Sequence, residues 1–136
     1  MWEPFKSAVN ELMPQADIVH DRFHISGYLN EAVDSVRKKE HKALLGEGNK
    51  LLTKSKYLWL KDTANHTKDE KIKFKELKNH TTRVGRAWAI KEAFRKFWSY
   101  WYMKPAKQFF DRWYYWATHS RIPDIIKVAK MLKKHF

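Results

Sequence analysis

The residues best suited to chemistry lie together in the segment 18–25. There Asp21 stands between His20 and His24, and a β-branched Ile-Val pair immediately precedes His20. β-branched residues favour strands, and a polar residue at the end of a buried strand emerges at a sheet edge, where open α/β folds place their reactive groups. We therefore predict a short strand over residues 17–20 that presents Asp21.

A carboxylate at this position has two interpretations. It suits Mg²⁺ or Mn²⁺, because hard cations prefer carboxylate oxygens, and two such ions neutralise charge on the attacking and leaving oxygens in phosphoryl transfer. An Asp between a strand and a helix also caps the helix by accepting backbone N–H bonds. Spacing alone favours the cap for Asp21, and the two roles are compatible.

The two histidines beside Asp21 raise the question of a zinc site. Ligands four residues apart face one ion only on a helix, whereas the strand signal predicts that the helix begins after Asp21. No third and fourth ligand is recognisable, so the pair is a weak zinc motif. We expect His24 to pack or hydrogen-bond beside the end of the strand.

Helices are predicted for most of the remaining chain. A short one is expected over 4–13, and another after residue 28 ends in the basic run 37–42, before a glycine-containing loop at 44–50. The segment 51–61 is compatible with strand or helix. Later helices are predicted over 68–80, with Thr67 as N-cap, then over 82–103, after Pro105 and from Pro123, with Ser120 as a possible cap. Their short connections predict antiparallel packing.

Most of the aromatic residues lie between Trp88 and Trp116. At helical spacing such residues are usually core, and the apolar side of the 82–103 helix includes Phe94 and Trp101, with Lys91 on the polar remainder. Aromatic rings beside Lys and Arg can also stack on bases. The better candidates for exposed rings are those off the apolar stripes, and an equal alternative is that they close a second helix interface: Trp98, Tyr100, Tyr102, Tyr115 and Trp116.

The charge balance favours polyanionic partners. Of 136 residues, 28 are Lys or Arg and 15 are Asp or Glu, a formal net charge of +13. Nucleic acid is the first expected partner and an anionic membrane the second. A solvated helix face is the alternative for any single helix. The residues expected to form a shared DNA-binding surface are Arg83, Arg86, Arg95, Lys96, Lys104, Lys107, Lys127, Lys130, Lys133 and Lys134.

Other features exclude several classes of protein. The chain has no Cys, and therefore no disulfide framework or thiolate zinc site, which fits a reducing compartment. It has no apolar run of membrane-spanning length and no signal-peptide pattern. It lacks a Gly-rich phosphate loop and a Gly-x-Ser-x-Gly elbow. We expect a soluble, intracellular protein with no membrane partner.

The segment Asp21-Arg22-Phe23-His24 is also the most specific part of a family resemblance that covers nearly the whole chain. With Leu58-Trp59-Leu60-Lys61, Ala87-Trp88-Ala89-Ile90-Lys91-Glu92 and Ala117-Thr118-His119-Ser120-Arg121-Ile122-Pro123, it follows the order of a bacterial insertion-sequence transposase. The sequence resembles the DDE-type transposases of the ISL3 group. Arg22, Phe23 and His24 are then a family signature without an assigned chemical role.

The resemblance implies a ribonuclease H-like domain in which an Asp, Asp, Glu triad binds two divalent metals and DNA is cut and rejoined. Asp21 matches the second Asp, as catalytic residue and ligand of Mg²⁺ or Mn²⁺. The first Asp would fall just ahead of Met1 and the Glu beyond Phe136. We therefore expect a fragment of a longer transposase, or the product of a decayed or mis-started reading frame, that is inactive as an isolated chain.

The resulting fold prediction is mainly α with one short β-strand. Residues 1–42 are expected to be part of a ribonuclease H-like α/β core, as helix, strand and helix, and residues 43–136 an all-helical insertion. The expected partners are transposon ends and target DNA, with possible homo-oligomers of the full-length protein, in the bacterial cytoplasm. The alternative is a non-catalytic basic helical module that binds nucleic acid.

Overall fold

The computed structural model describes residues 15–135, with side chains from residue 22 to residue 134. The helix predicted over 4–13 lies outside the described residues. Two 3₁₀ helices, Thr63–Asn65 and Arg95–Ser99, lie in this part of the chain. Its α-helices are α1 (Gln15–Gly46), α2 (Lys56–Leu60), α3 (Lys68–His80), α4 (Arg83–Phe94), α5 (Met103–Thr118) and α6 (Pro123–His135).

Helix α1 occupies the place of the predicted strand. Residues 17–20 lie inside α1, and no strand occurs between residues 15 and 135. A strand here would have no neighbouring strand in the described chain to take its backbone hydrogen bonds, whereas a helix satisfies them internally. The predicted strand is therefore wrong. The N-cap interpretation of Asp21 is also wrong, because α1 already runs from Gln15 through Asp21.

One face of α1 is buried in the hydrophobic core. Its buried residues recur at the spacing of an amphipathic helix, and this face packs against α4 and α6. They are Ile25, Leu29, Ala32, Val33 and Val36. Helix α1 thus crosses the predicted domain boundary between residues 42 and 43 and contributes to the same hydrophobic core as α4, α5 and α6. The division into two regions stays a prediction, since a shared core does not locate an evolutionary boundary.

Aromatic rings fill the space between α4 and α5. Phe94 lies at the centre, with ring centroids 4.7 Å from Trp113 and 5.2 Å from Phe97. The Trp113 indole Nε1 donates to the Ile90 carbonyl at 2.8 Å, which satisfies the polar atom of a buried ring. The aromatic cluster is therefore mostly core, as its helical spacing predicts.

Side chains of α1 fix where the later helices begin. The Glu40 carboxylate accepts from the backbone N–H of Val84 at 2.8 Å and of Thr82 at 3.4 Å, at the N-terminus of α4. Asp124 in the first turn of α6 accepts from Ser35 at 3.1 Å and pairs with Lys39 at 2.8 Å. Acidic groups at helix N-termini satisfy unpaired N–H groups and complement the helix dipole.

The predicted helix ends are partly confirmed. Thr67 and Glu70 form a capping box at the start of α3, and Gly48 adopts a positive φ of 80° in the turn after α1. The undecided segment 51–61 is a turn followed by α2. Ser120 accepts from the backbone N–H of Ile122 rather than from a residue inside α6, so it stabilises the connection and not the helix itself.

The predicted helix over 82–103 is interrupted. It is helical in α4 as far as Phe94, continues as the 3₁₀ helix Arg95–Ser99, and leaves helical geometry at Tyr100, where ψ is 136°. No apolar helix in the described part of the chain is long enough to cross a bilayer.

Candidate nucleic-acid interface

All ten basic residues predicted to contact DNA have exposed side chains. They come from α4, α5, α6 and the 3₁₀ helix Arg95–Ser99, so four elements present them. Exposure is required for phosphate contact and is equally expected of a solvated face. Their DNA contact therefore stays a prediction. The ten residues differ from one another in the grooves that they line and in the groups that they already contact.

Three lysines line a groove between α1 and α6. Lys127, Lys130 and Lys134 follow one another at spacings of three and four along α6, which places them on one helix face. The groove has a volume of about 640 Å³ and also carries Glu31 and Asp124. The lysines outnumber the carboxylates, so the groove keeps positive charge of the kind that attracts phosphates.

A second groove, of about 530 Å³, lies between α5, α6 and the 3₁₀ helix Arg95–Ser99. Its lining is largely apolar and includes Phe97, Met103 and Phe110, with Lys107 and Lys133 as its cationic members and Asp111 as its acid. The Lys133 ammonium also sits 4.7 Å from the centroid of the Tyr114 ring, a cation–π distance.

Two of the predicted arginines are already engaged. Arg86 donates to the backbone carbonyl of Ser120. Arg95 donates through Nε to Glu92 and through a terminal nitrogen to Asp62, each at 3.0 Å. Burial alone would lower the pKa of Arg95, but the two carboxylates outweigh it and raise that pKa. These arginines carry less uncompensated charge than the lysines of α6.

Arg83 lies in a third groove, between α1, α4 and α6. This groove has a volume of about 300 Å³ and also carries Lys39, Glu40 and Asp124. Lys96 and Lys104 are exposed on the 3₁₀ helix and at the start of α5. The described basic residues thus line separate grooves beside α6, two of which carry more cations than carboxylates.

The rings proposed for base stacking divide into two groups. Tyr102, Tyr115 and Trp116 are exposed, as predicted. Trp98 is buried and Tyr100 is half-buried, so their prediction as exposed rings is wrong. Trp101, assigned to the apolar stripe, is 65% exposed, and that assignment is also wrong.

The family signature lies on α1. Arg22 holds its guanidinium 5.5 Å from the centroid of Trp98, and burial lowers its pKa, with a smaller effect from Arg95 in the same direction. Phe23 is 75% exposed. The His24 ring lies 6.1 Å from that of Tyr28. Asp21 is helical, and its side chain lies outside the described residues.

No group of three or more His, Asp or Glu side chains suited to a metal occurs among the described residues. These residues alone do not fit a two-metal centre. The helix was expected to begin after Asp21, which argued against a zinc site, but His20 and His24 both lie on α1. The side chain of His20 is outside the described residues. Zinc binding by this pair stays unassigned.

Lys91 is a candidate functional residue whose burial the sequence pattern did not predict. It was expected on the polar side of its helix, but it is only 5% exposed. Its Nζ donates to the Trp59 carbonyl at 2.7 Å and to Asn30 Oδ1 at 3.2 Å. Burial lowers its pKa to about 8. Its spacing from Val84 and Ala87, which continues their inward stripe, is the signal that could have revealed this.

The helical bundle and its basic grooves belong to a chain whose class is established by comparison with known proteins. A family model described as a transposase, of the ISL3 type, matches residues 1–136. Because the match covers the whole sequence, the chain belongs to the ISL3 transposase family. The resemblance carried by the Asp-Arg-Phe-His segment is thereby confirmed.

Curated relatives agree with this assignment. The chain is 26% identical over 123 residues to the transposase for insertion sequence element IS1001 of Bordetella parapertussis, an overlap of 88% of this chain and 30% of that protein. It is 26% identical over 150 aligned positions to the transposase for insertion sequence element IS1557 of Mycobacterium tuberculosis, covering 93% and 34%. The chain thus spans about a third of the length of these relatives. No solved structure matches it significantly.

Proposed function

We propose that this chain is the central part of a DDE transposase that cuts and rejoins DNA with Mg²⁺ or Mn²⁺ in the bacterial cytoplasm. The observation that carries the proposal is the family match over residues 1–136, joined to the signature that begins at Asp21. The ribonuclease H-like core and the helical insertion at 43–136 are part of the same proposal.

In the proposed enzyme Asp21 supplies one metal ligand. Bound divalent ions would neutralise charge on the phosphate oxygens during strand cleavage and transfer. Asp21 is the one member of the triad that this sequence matches, and the described residues hold no carboxylate cluster. A single carboxylate does not hold two metals in a catalytic arrangement, so the isolated chain is expected to be inactive.

A test of inactivity uses purified chain, a DNA substrate with insertion-sequence ends, and Mg²⁺ or Mn²⁺. We expect no strand transfer. Metal-dependent strand transfer by the isolated chain that is lost in Asp21→Ala would contradict this part of the proposal. In a full-length transposase that contains this segment, the same substitution is expected to abolish strand transfer while DNA binding persists.

The helical bundle holds the DNA through its basic grooves, in this proposal. The α1–α6 groove is its best-supported contact, because Lys127, Lys130 and Lys134 share one helix face and all three line the groove. Each phosphate neutralised by a lysine releases about 0.9 counterion, which makes affinity fall steeply with salt. Transposon ends and target DNA are the expected ligands.

The experiment is binding of the chain to double-stranded DNA across a salt series, with and without Mg²⁺. Replacing Lys127, Lys130 and Lys134 by Gln is expected to reduce the slope of log affinity against log salt by roughly three. The matched control replaces Lys71, Lys73 and Lys75, three exposed lysines of α3, and changes net charge equally. A smaller effect in the control supports a specific groove.

Equal effects of the two triple variants would mean that net charge, and not this groove, sets the affinity. Absence of wild-type binding even at low salt would remove the DNA-holding role altogether. Binding that requires Mg²⁺ would also contradict a purely phosphate-tracking surface.

A second candidate is a non-catalytic nucleic-acid-binding module. It is favoured by the described residues themselves, which present exposed cations and rings but no carboxylate cluster. Under it, Asp21→Asn leaves the biological activity unchanged, whereas the lysine substitutions abolish it. Loss of transposition in cells that carry Asp21→Asn would exclude this candidate.

A further inference from the structure

A small pocket lies beside the family signature and is separate from the three grooves described above. It lies where α1, the end of α2, α4 and the 3₁₀ helix Arg95–Ser99 meet, and its volume is about 130 Å³. Three of its described lining residues are charged, and all three are cations: Arg22, Lys91 and Arg95. Ser26 and Asn30 add polar groups.

Lys91 is held rigidly at this pocket. Two of its three N–H donors are committed, at 2.7 Å to the Trp59 carbonyl and at 3.2 Å to Asn30. Its nearest carboxylate oxygen, on Glu92, lies at 3.8 Å, beyond the ordinary length of a hydrogen bond. A buried, fixed ammonium with one donor left over is a preorganised partner for an anion.

Arg22 has no carboxylate partner among the described residues. Its guanidinium lies 5.5 Å from the centroid of Trp98, a cation–π distance, and such a contact leaves guanidinium N–H groups available. Arg95 is different, because Glu92 and Asp62 accept two of its N–H groups. Counting these two carboxylates against the three cations leaves the site one positive charge in excess.

We propose that this pocket binds a single phosphate group of the DNA backbone. The proposal rests on the proposed DNA-binding function and adds a site to it. A volume of about 130 Å³ equals that of roughly four liquid waters, which is enough room for one phosphate group. Two guanidinium groups and an ammonium suit its oxygens, because arginine binds phosphate with paired, charge-assisted hydrogen bonds.

The first experiment titrates the whole chain with inorganic phosphate, using chloride at matched ionic strength as control, and follows the side-chain nitrogen signals by NMR. We expect the Arg22, Lys91 and Arg95 signals to shift together and to saturate. Arg22→Gln is expected to weaken this binding about tenfold. Arg112→Gln removes the same charge from an exposed site on α5 and is expected to leave it unchanged.

Shifts that chloride reproduces, or that never saturate in the wild type, would overturn the pocket as a phosphate site. That result needs no variant and so holds even if Arg22→Gln does not fold, which its thermal melt would show. Unchanged phosphate binding in a folded Arg22→Gln variant would overturn it as well.

The second experiment separates DNA phosphate from free phosphate. Arg22→Gln is expected to weaken binding to a DNA duplex about tenfold more than Arg112→Gln does. Equal effects of both variants, together with saturable phosphate binding, would mean that the pocket takes free phosphate and would overturn the assignment to DNA. If the wild type binds no DNA yet saturates with phosphate, both the proposed DNA-holding function and the assignment of the pocket to DNA fail, and only a site for free phosphate remains.

Discussion

Trp98 and Trp101 are three positions apart and differ completely in environment. Trp98 is 5% exposed and Trp101 is 65% exposed. The cause is the change of backbone geometry between them, because the 3₁₀ helix ends at Ser99 and Tyr100 is extended. A helix carried through this segment would have kept Trp101 in phase with Phe94 and Phe97. The aromatic region therefore has an interior half that closes the core and an outer half that faces solvent.

The largest effect is expected from the interior ring. Trp98→Ala removes a buried ring that contacts Phe94 and Phe97 at centroid distances of 6.2 and 5.2 Å. Deleting a buried aromatic side chain costs lost burial plus the cavity that remains, about 3 to 5 kcal/mol. Urea unfolding at neutral pH measures this.

Trp101→Ala is the matched control for that prediction. Its free energy of unfolding is expected to stay within about 0.5 kcal/mol of the wild type, because an exposed side chain leaves no cavity. Equal destabilisation by the two substitutions would show that the outer rings belong to the core and would remove the contrast between the two halves.

The contrast between buried and exposed side chains extends to the lysines. The second-largest effect is expected from Lys91, which is buried. Burial lowers the pKa of Lys91 to about 8, whereas an unfolded lysine titrates near 10.4. Between these values the unfolded state binds more protons, so the contribution of Lys91 to stability rises with pH through this window. From pH 7 to pH 9.5 the wild type is expected to gain about 2 kcal/mol relative to Lys91→Met.

The measurement is urea unfolding of both proteins at the two pH values in phosphate-free buffer, so that other titrating groups cancel in the difference. Lys71→Met, at an exposed position of α3, is expected to give no such gain. A wild-type advantage over Lys91→Met that does not change with pH would show that Lys91 titrates normally and is not buried as described.

A smaller effect is expected where α1 fixes the start of α4. Glu40→Ala removes the carboxylate that accepts from Val84 and Thr82, and loss of a helix N-terminal acceptor costs about 1 kcal/mol. Thermal melts of Glu40→Ala and of Glu76→Ala, an exposed position of α3, would check this. Indistinguishable melting temperatures would mean that Glu40 does not cap α4.

Local signals in the sequence predicted most of the helices. The Thr67 to Glu70 capping box and the start of α3 follow from short-range chemistry, and the buried face of α1 follows the helical spacing of its apolar residues. Two features depended on distant parts of the chain instead. Residues 17–20 carry β-branched side chains, but the described chain offers no neighbouring strand, so they join α1. The end of α4 at Phe94 has no Gly or Pro to mark it.

The contacts of the basic residues could be predicted less well than the helices, because residue type alone does not show which groups a side chain contacts. The ten basic residues are all exposed as expected, yet Arg86 and Arg95 are engaged by groups from distant segments, Ser120 and Asp62. Lys91 shows the opposite error, since lysine is ordinarily a surface residue. Its acceptors are Trp59 and Asn30, on two other helices, and a pattern read along one helix does not include them.

The smallest effect separates two adjacent surface lysines of α6. The Lys133 ammonium lies 4.7 Å from the Tyr114 centroid, and an exposed cation–π contact is worth about 0.5 kcal/mol. Lys133→Gln is therefore expected to lower the free energy of unfolding by about that amount, and Lys134→Gln to leave it unchanged. In DNA binding the two variants are expected to behave alike, because each lysine is proposed to contact one phosphate, whose loss would lower the salt slope by about 0.9. If only Lys133→Gln changes the free energy of unfolding and the salt slope, Lys134 is an ordinary solvated residue. The DNA-binding face of α6 would then include fewer residues than the exposed lysines of this helix.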